Sequence, residues 1–232
     1  MNKNKYLILV RSFVSLLFLS ISAHAQTVWD KKPFQQWSGY EAIQIIIDSP
    51  WAKTIRDDNG SYSANIRLHS ALPIRQALVR QKQTRMNYNR LNAADKAKID
   101  SDVQEALECP ECTNFYIVTL RIIPTDQKAL RLLTSSSLDD LKPYVSLAND
   151  KGERRELINF IPPKGGGDNA VFFDNAVFYF KRLDERGKPL LTIENKKLYF
   201  SVDEKAWKGK LMHLPKVTFE VSKLVRNSEI VF

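Results

Sequence analysis

Leu107-Glu108-Cys109-Pro110-Glu111-Cys112-Thr113-Asn114-Phe115-Tyr116-Ile117-Val118 is where this chain changes character. Up to Leu107 the apolar residues recur at helical spacing, with Ile99, Val103 and Leu107 four apart on one side of a helix that starts at Asn92 with Asp95 in its first turn. From Phe115 onward, β-branched and aromatic residues crowd into short runs bounded by Gly, Pro, Asn and Asp, as strands require. Helices come first and strands follow, without the regular alternation that a parallel sheet demands. The expected fold is therefore α+β, a helical N-terminal layer followed by a mainly antiparallel β-sheet or sandwich.

Upstream, Ser38 followed by Glu41 forms a capping box, and Ile43, Ile46 and Ile47 recur at helical spacing until Pro50. Tyr62, Ala64, Ile66 and Leu68 alternate with polar residues and predict a strand. Ser70 before Ala71-Leu72-Pro73 reads as the cap and first turn of a helix with an apolar stripe of Ile74, Ala77 and Leu78. Downstream, the strand runs are Phe115 to Ile123, Val145 to Leu147, Leu157 to Ile161, Val171 to Phe180, Lys197 to Val202 and Val217 to Val221. A helical interlude carries Leu130, Leu133, Leu138 and Leu141, and Asp184 to Pro189 reads as a hairpin loop. Pro162 to Asn169 lacks the helix and Lys-Ser/Thr that a phosphate cradle needs, so it reads as a connector.

The start of the chain reads as an export signal. Lys3 and Lys5 precede an apolar run from Ser12 to Ser22 and then Ala23-His24-Ala25, a small-x-small cleavage site. The run is about half of the roughly 20 apolar residues that cross a bilayer, so no membrane span is expected. Residues 1–25 are thus expected to be cleaved after Ala25, leaving a periplasmic or secreted single domain at 26–232, mainly helical over 26–108 and mainly β over 113–232.

The chain has 232 residues, 35 Lys and Arg and 26 Asp and Glu, for a formal charge of +9, and the signal holds three of the bases and no acid, which leaves +6. The domain is long enough to bury roughly 70% of its extended surface without metal or disulfide. Between Asp58 and Asp95 there is no acid, while Arg67, Arg75, Arg80, Lys82, Arg85 and Arg90 fall inside that window. Arg75, Arg80, Lys82 and Arg85 are the candidate contacts for an anionic polysaccharide, a lipid headgroup or an acidic protein. The simpler reading is a solvated helix face. Nucleic acid is not expected, because export removes it and no stacking aromatics are interleaved here.

Both cysteines lie in Cys109-Pro110-Glu111-Cys112. In an oxidising compartment they are expected to form a disulfide that staples a helix end to a strand start, worth about 2 kcal/mol for so small a loop. A thiol-disulfide oxidoreductase is the alternative function. That chemistry prefers a cysteine at a helix N-terminus, whereas these two follow a helix and are flanked by Glu108 and Glu111, which would raise a thiol pKa. Zinc would need two further ligands, and His69 and His213 are the only histidines after the signal. No serine sits in a Gly-x-Ser-x-Gly elbow, and the doublets Asp57-Asp58 and Asp139-Asp140 read as turn or helix-start residues. No catalytic residue, metal or cofactor is assigned, and a non-enzymatic binding or scaffolding role is the leading expectation.

Three stretches carry a resemblance: Trp37 with Glu41 leading into Asp48-Ser49-Pro50-Trp51-Ala52, the segment Ser70 to Ala77, and Cys112 before Tyr116-Ile117-Val118. Together they resemble a group of uncharacterised exported bacterial proteins of acidobacterial type. The resemblance implies an envelope or secreted protein and brings no activity, so no functional residue is carried over.

Overall fold

The computed structural model describes residues 28–56, 63–123, 127–163, 175–206 and 216–231. The expected signal and its cleavage site, Asp57-Asp58, most of the Pro162 to Asn169 connector, Val171 to Phe173, and His213 lie outside the described residues. The chain divides at Pro33: a short helix α1 (Val28–Lys31) belongs to the first unit, and the chain from Phe34 onward forms the second.

Within the second unit the fold is α+β. Helix α2 (Gly39–Ile47) precedes, and helices α3 (Leu72–Arg85) and α4 (Ala93–Glu108) follow, an early hairpin of β1 (Ala52–Arg56) with β2 (Ser63–Leu68). The later strands are β3 (Phe115–Ile123), β4 (Val145–Asn149), β5 (Arg154–Glu156), β6 (Asn159–Ile161), β7 (Ala176–Lys181), β8 (Lys197–Val202) and β9 (Val217–Glu220). Helices α5 (Gln127–Ser135) and α6 (Leu138–Leu141) follow β3, and α7 (Val221–Leu224) leads into a small closing ribbon of β10 (Val225–Arg226) and β11 (Glu229–Ile230). All pairings are antiparallel. One sheet has the order β1-β2-β3-β7-β6 and a second the order β5-β4-β8-β9.

The two sheets meet through aromatic rings. Phe178 and Phe180 of β7 stand on Phe200 of β8, with ring centroids 5.5 Å and 6.3 Å apart, and Phe160 of β6 leans on Phe178 at 5.2 Å. Alternation then fixes what lies on the other face of the five-stranded sheet. Phe178 pairs with Val118 and Val118 with Leu68, so these residues share the face turned to the second sheet. Their neighbours Arg67, Thr119 and Val177 point the opposite way, toward α3 and α4.

Local signals explain several elements. Ser38 and Glu41 exchange the two hydrogen bonds of a capping box, Glu41 N to Ser38 Oγ at 3.2 Å and Ser38 N to Glu41 Oε2 at 2.7 Å. Asn92 caps α4 by accepting from Asp95 N at 2.9 Å. Pro73 sits in the first turn of α3, and Ile74, Ala77 and Leu78 are buried. Two expectations are corrected. The buried face of α2 is Ala42, Ile45 and Ile46 while Ile43 is 38% exposed, because the side turned toward the core was not the one the isoleucine spacing suggested. Ser70 is not the cap of α3: Ala71 holds that position, and Ser70 Oγ accepts from Ile117 N at 3.2 Å, tying the end of β2 to β3.

Candidate functional site

Between the helices and the five-stranded sheet lies a cavity of about 640 Å³, partly open to solvent. Its floor is built by register. Arg67 opposes Thr119, Thr119 opposes Val177, and Val177 opposes Ile161, so four side chains on four strands form one row on the helix-facing side. A second row holds Ile117 opposite Tyr179, with His69 beside Ile117 through a bond from His69 N to Ile117 O at 2.7 Å. Leu78, Val79 and Lys82 of α3 and Val103 and Ala106 of α4 close the space from above.

The space is left because α4 is held by a few polar ties and one buried residue rather than by a continuous apolar face. Ile99 is its one buried residue, and Val103 and Ala106 remain half-buried where they face the cavity. At its middle, Lys82 Nζ meets Asp102 Oδ2 at 3.0 Å, and Tyr88 Oη donates to Asp100 at 2.6 Å. At its C-terminus the buried guanidinium of Arg75 donates to Leu107 O at 3.1 Å and 3.3 Å, to Ser70 O, and lies 3.5 Å from Cys112 Sγ. A cation at the exposed carbonyls of a helix end is stabilised by the dipole there.

Arg67 is the central group. It is 3% exposed, its Nη2 donates to Asn175 Oδ1 at 2.5 Å, and its Nε is buried with no hydrogen-bond partner. Burial, and then the nearby Arg121, lower its pKa to about 10, so it stays protonated at neutral pH. Among the described residues an amide oxygen is the acceptor that meets this cation, and a buried cation so matched is costly unless an anion joins it. Two residues along, the half-buried His69 lines the cavity. Burial first, then the charges of Arg67 and Arg75, lower its pKa to about 4, so the imidazole is neutral near pH 7. Tyr179 is held above the usual phenol pKa by burial and then by Glu111.

The sequence-derived candidates scatter. Arg75 is buried and clamps α4 to the Cys turn, and its pKa is lowered to about 10 by burial and then by Arg182. Arg80 donates from Nε to Trp37 O at 2.5 Å, Lys82 pairs with Asp102 at the cavity wall, and Arg85 is exposed. Cys109 and Cys112 form a disulfide, 2.00 Å between sulfurs, that joins the end of α4 to a 3-10 turn before β3. Cys109 lines the cavity. Among the described residues no group of three or more His, Cys, Asp and Glu is placed to hold an ion, and His213 lies outside them. Sequence reasoning placed Arg67 in the basic window but not in a site. The available signal was a charged residue inside an alternating strand, two positions before a histidine.

Two outcomes follow. Arg75→Met leaves the Leu107 and Ser70 carbonyls without a donor and is expected to destabilise the protein by about 3 kcal/mol in urea denaturation. An effect near zero would mean that the guanidinium contributes nothing to the clamp. For His69, the folded pKa lies below the unfolded one, so its contribution is fully present above pH 6.5 and is lost as pH falls toward about 4, where only the unfolded chain takes up the proton. Comparing urea midpoints of the wild type and His69→Gln across that window should show a shallower acid loss in the variant, by at most about 3 kcal/mol. Parallel curves would contradict the buried neutral imidazole.

No family model and no curated protein matches the chain. Among solved structures it is similar to the crystal structure of a novel protein of unknown function from Burkholderia pseudomallei K96243, with 14% sequence identity over 68% of this chain and 73% of that one and a TM-score of 0.38.

Proposed function

We propose that this chain is an exported, non-catalytic binding protein that takes a small ligand into the cavity beneath α4. The observation that carries this reading is the cavity itself: a space of about 640 Å³ with apolar walls and, on its floor, a buried donor without an acceptor. That volume lies within the range of small-molecule sites, which combine apolar walls with few polar groups. A ligand would supply what the protein lacks there, apolar contact above the sheet and an acceptor for Arg67.

Filling the space tests the reading. Nile red, a neutral dye that brightens in apolar surroundings, is expected to bind the wild type and to lose at least about tenfold in affinity to Val103→Trp or Ala106→Phe, both on the cavity side of α4. Melting temperatures would show whether each variant still folds. Unchanged dye binding by two folded variants would refute ligand binding at this cavity.

A second reading, dithiol-disulfide exchange through Cys109 and Cys112, draws support from one contact. The Arg75 guanidinium 3.5 Å from Cys112 Sγ would stabilise a thiolate after an external dithiol has reduced the pair. Reduced protein should then reduce insulin disulfides, with Cys112 titrating well below the free thiol value of about 8.5. A thiol of ordinary or raised pKa without turnover removes this reading.

A further inference from the structure

Resting on the binding role proposed above, we infer that the cavity is built for an amphiphilic monocarboxylate, its carboxylate on Arg67 and its apolar body between α4 and the sheet. The charge on the floor is single. Arg67 offers an unpartnered Nε–H and further guanidinium N–H groups beside Asn175, and its cross-strand neighbour Thr119 adds a hydroxyl on the same face. Carboxylate is the planar anion that a guanidinium fork matches with two parallel hydrogen bonds.

The rest of the lining selects against more highly charged ligands. Lys82 is already engaged with Asp102 at 3.0 Å, and the remaining carboxylates around the wall are those of Glu105 and Glu111, both exposed. A phosphate ester carrying two charges, or a polyanion passing between α3 and α4, would bring negative charge against these acids. His69 gives no second cation, because it stays neutral above about pH 4. A ligand with one charge at its inner end meets none of this repulsion. Its outer part would lie against Leu78, Val103, Ile117 and Val177.

The direction of the ligand also follows. The only buried cation lining the cavity among the described residues is on the floor, so the charged end goes in first and is desolvated against Arg67. The apolar body then fills the space behind it. Each methylene added within the cavity should tighten binding about fourfold.

Titration calorimetry of the full exported chain tests this with octanoate, decanoate, decanol and decyl phosphate. Decanoate is expected to bind at least about tenfold more tightly than decanol or decyl phosphate, and more tightly than octanoate. Arg67→Met should cost decanoate at least about tenfold while leaving decanol unchanged. Arg67→Lys, which keeps the charge without the fork, should recover only part of the loss and guards against a misfolded variant. Equal binding of decanol and decanoate, or tighter binding of decyl phosphate, overturns the carboxylate assignment while leaving the cavity as a binding site. Absence of binding by all four, together with Nile red binding insensitive to Val103→Trp, overturns both readings.

Discussion

The buried guanidinium of Arg75 ties α3, the end of α4 and the Cys turn together. It reaches from α3 to the last carbonyl-bearing turn of α4 at Leu107, to Ser70 at the end of β2 and to the sulfur of Cys112. The same turn is gripped from the sheet side, where Arg182 after β7 donates from Nε to Cys112 O at 2.7 Å and lies over the Tyr116 ring at 4.7 Å. Two cations thus share one short turn. Carbonyl oxygens accept from both, Leu107 O and Ser70 O from the buried Arg75 and Cys112 O from the half-buried Arg182, and Leu107 O lies at the end of α4, where a cation is favoured. Cys109 completes the arrangement at φ 42°, a left-handed position that glycine usually fills after a helix. A side chain is kept there at a conformational cost, and the disulfide is what requires it.

From this anchorage the cavity becomes intelligible. The five-stranded sheet packs on the second sheet through the fully buried rings of Phe178, Phe180 and Phe200. That face supplies the cohesion. The other face does not need to be filled everywhere, and α4, tied at the Cys turn and through Asp102 to Lys82, spans it without settling onto it. A close-packed protein loses contact energy at every void, so an unfilled space of this size is held open by the supports of α4 and not by chance looseness. The buried Arg67 sits where those supports leave room.

What was legible in the sequence was what local chemistry decides. The strand expected at Phe115 to Ile123 and the one at Lys197 to Val202 occupy those residues, and the Ser38 to Glu41 box forms. The hairpin at Asp184 to Pro189 closes through Gly187 at φ 76°. These features depend on neighbours in the chain. The strand β1 escaped notice because Lys53-Thr54-Ile55-Arg56 alternates weakly, and it exists through pairing with β2. Alternation along β2 identified a strand yet could not say that its polar side would be covered as well, leaving Asn65 1% and Arg67 3% exposed. Ser70 was misread for the same reason: its hydroxyl has a distant partner in Ile117 that competes with the local cap. A cavity is the space between layers, and no local pattern encodes it.

The basic window illustrates how burial changes the meaning of charge. Spread on a helix face, Arg75, Arg80, Lys82 and Arg85 would sum to a field attractive to an anionic polymer. Folding withdraws three of them into specific duties at the Cys turn, at Trp37 O and at Asp102, and leaves Arg85 with the exposed Arg90 outside. Arg67, by contrast, is desolvated, where a single charge interacts far more strongly than it does in water. Folding therefore concentrates the desolvated charge of the segment at Arg67 and Arg75 instead of spreading it along one helix face.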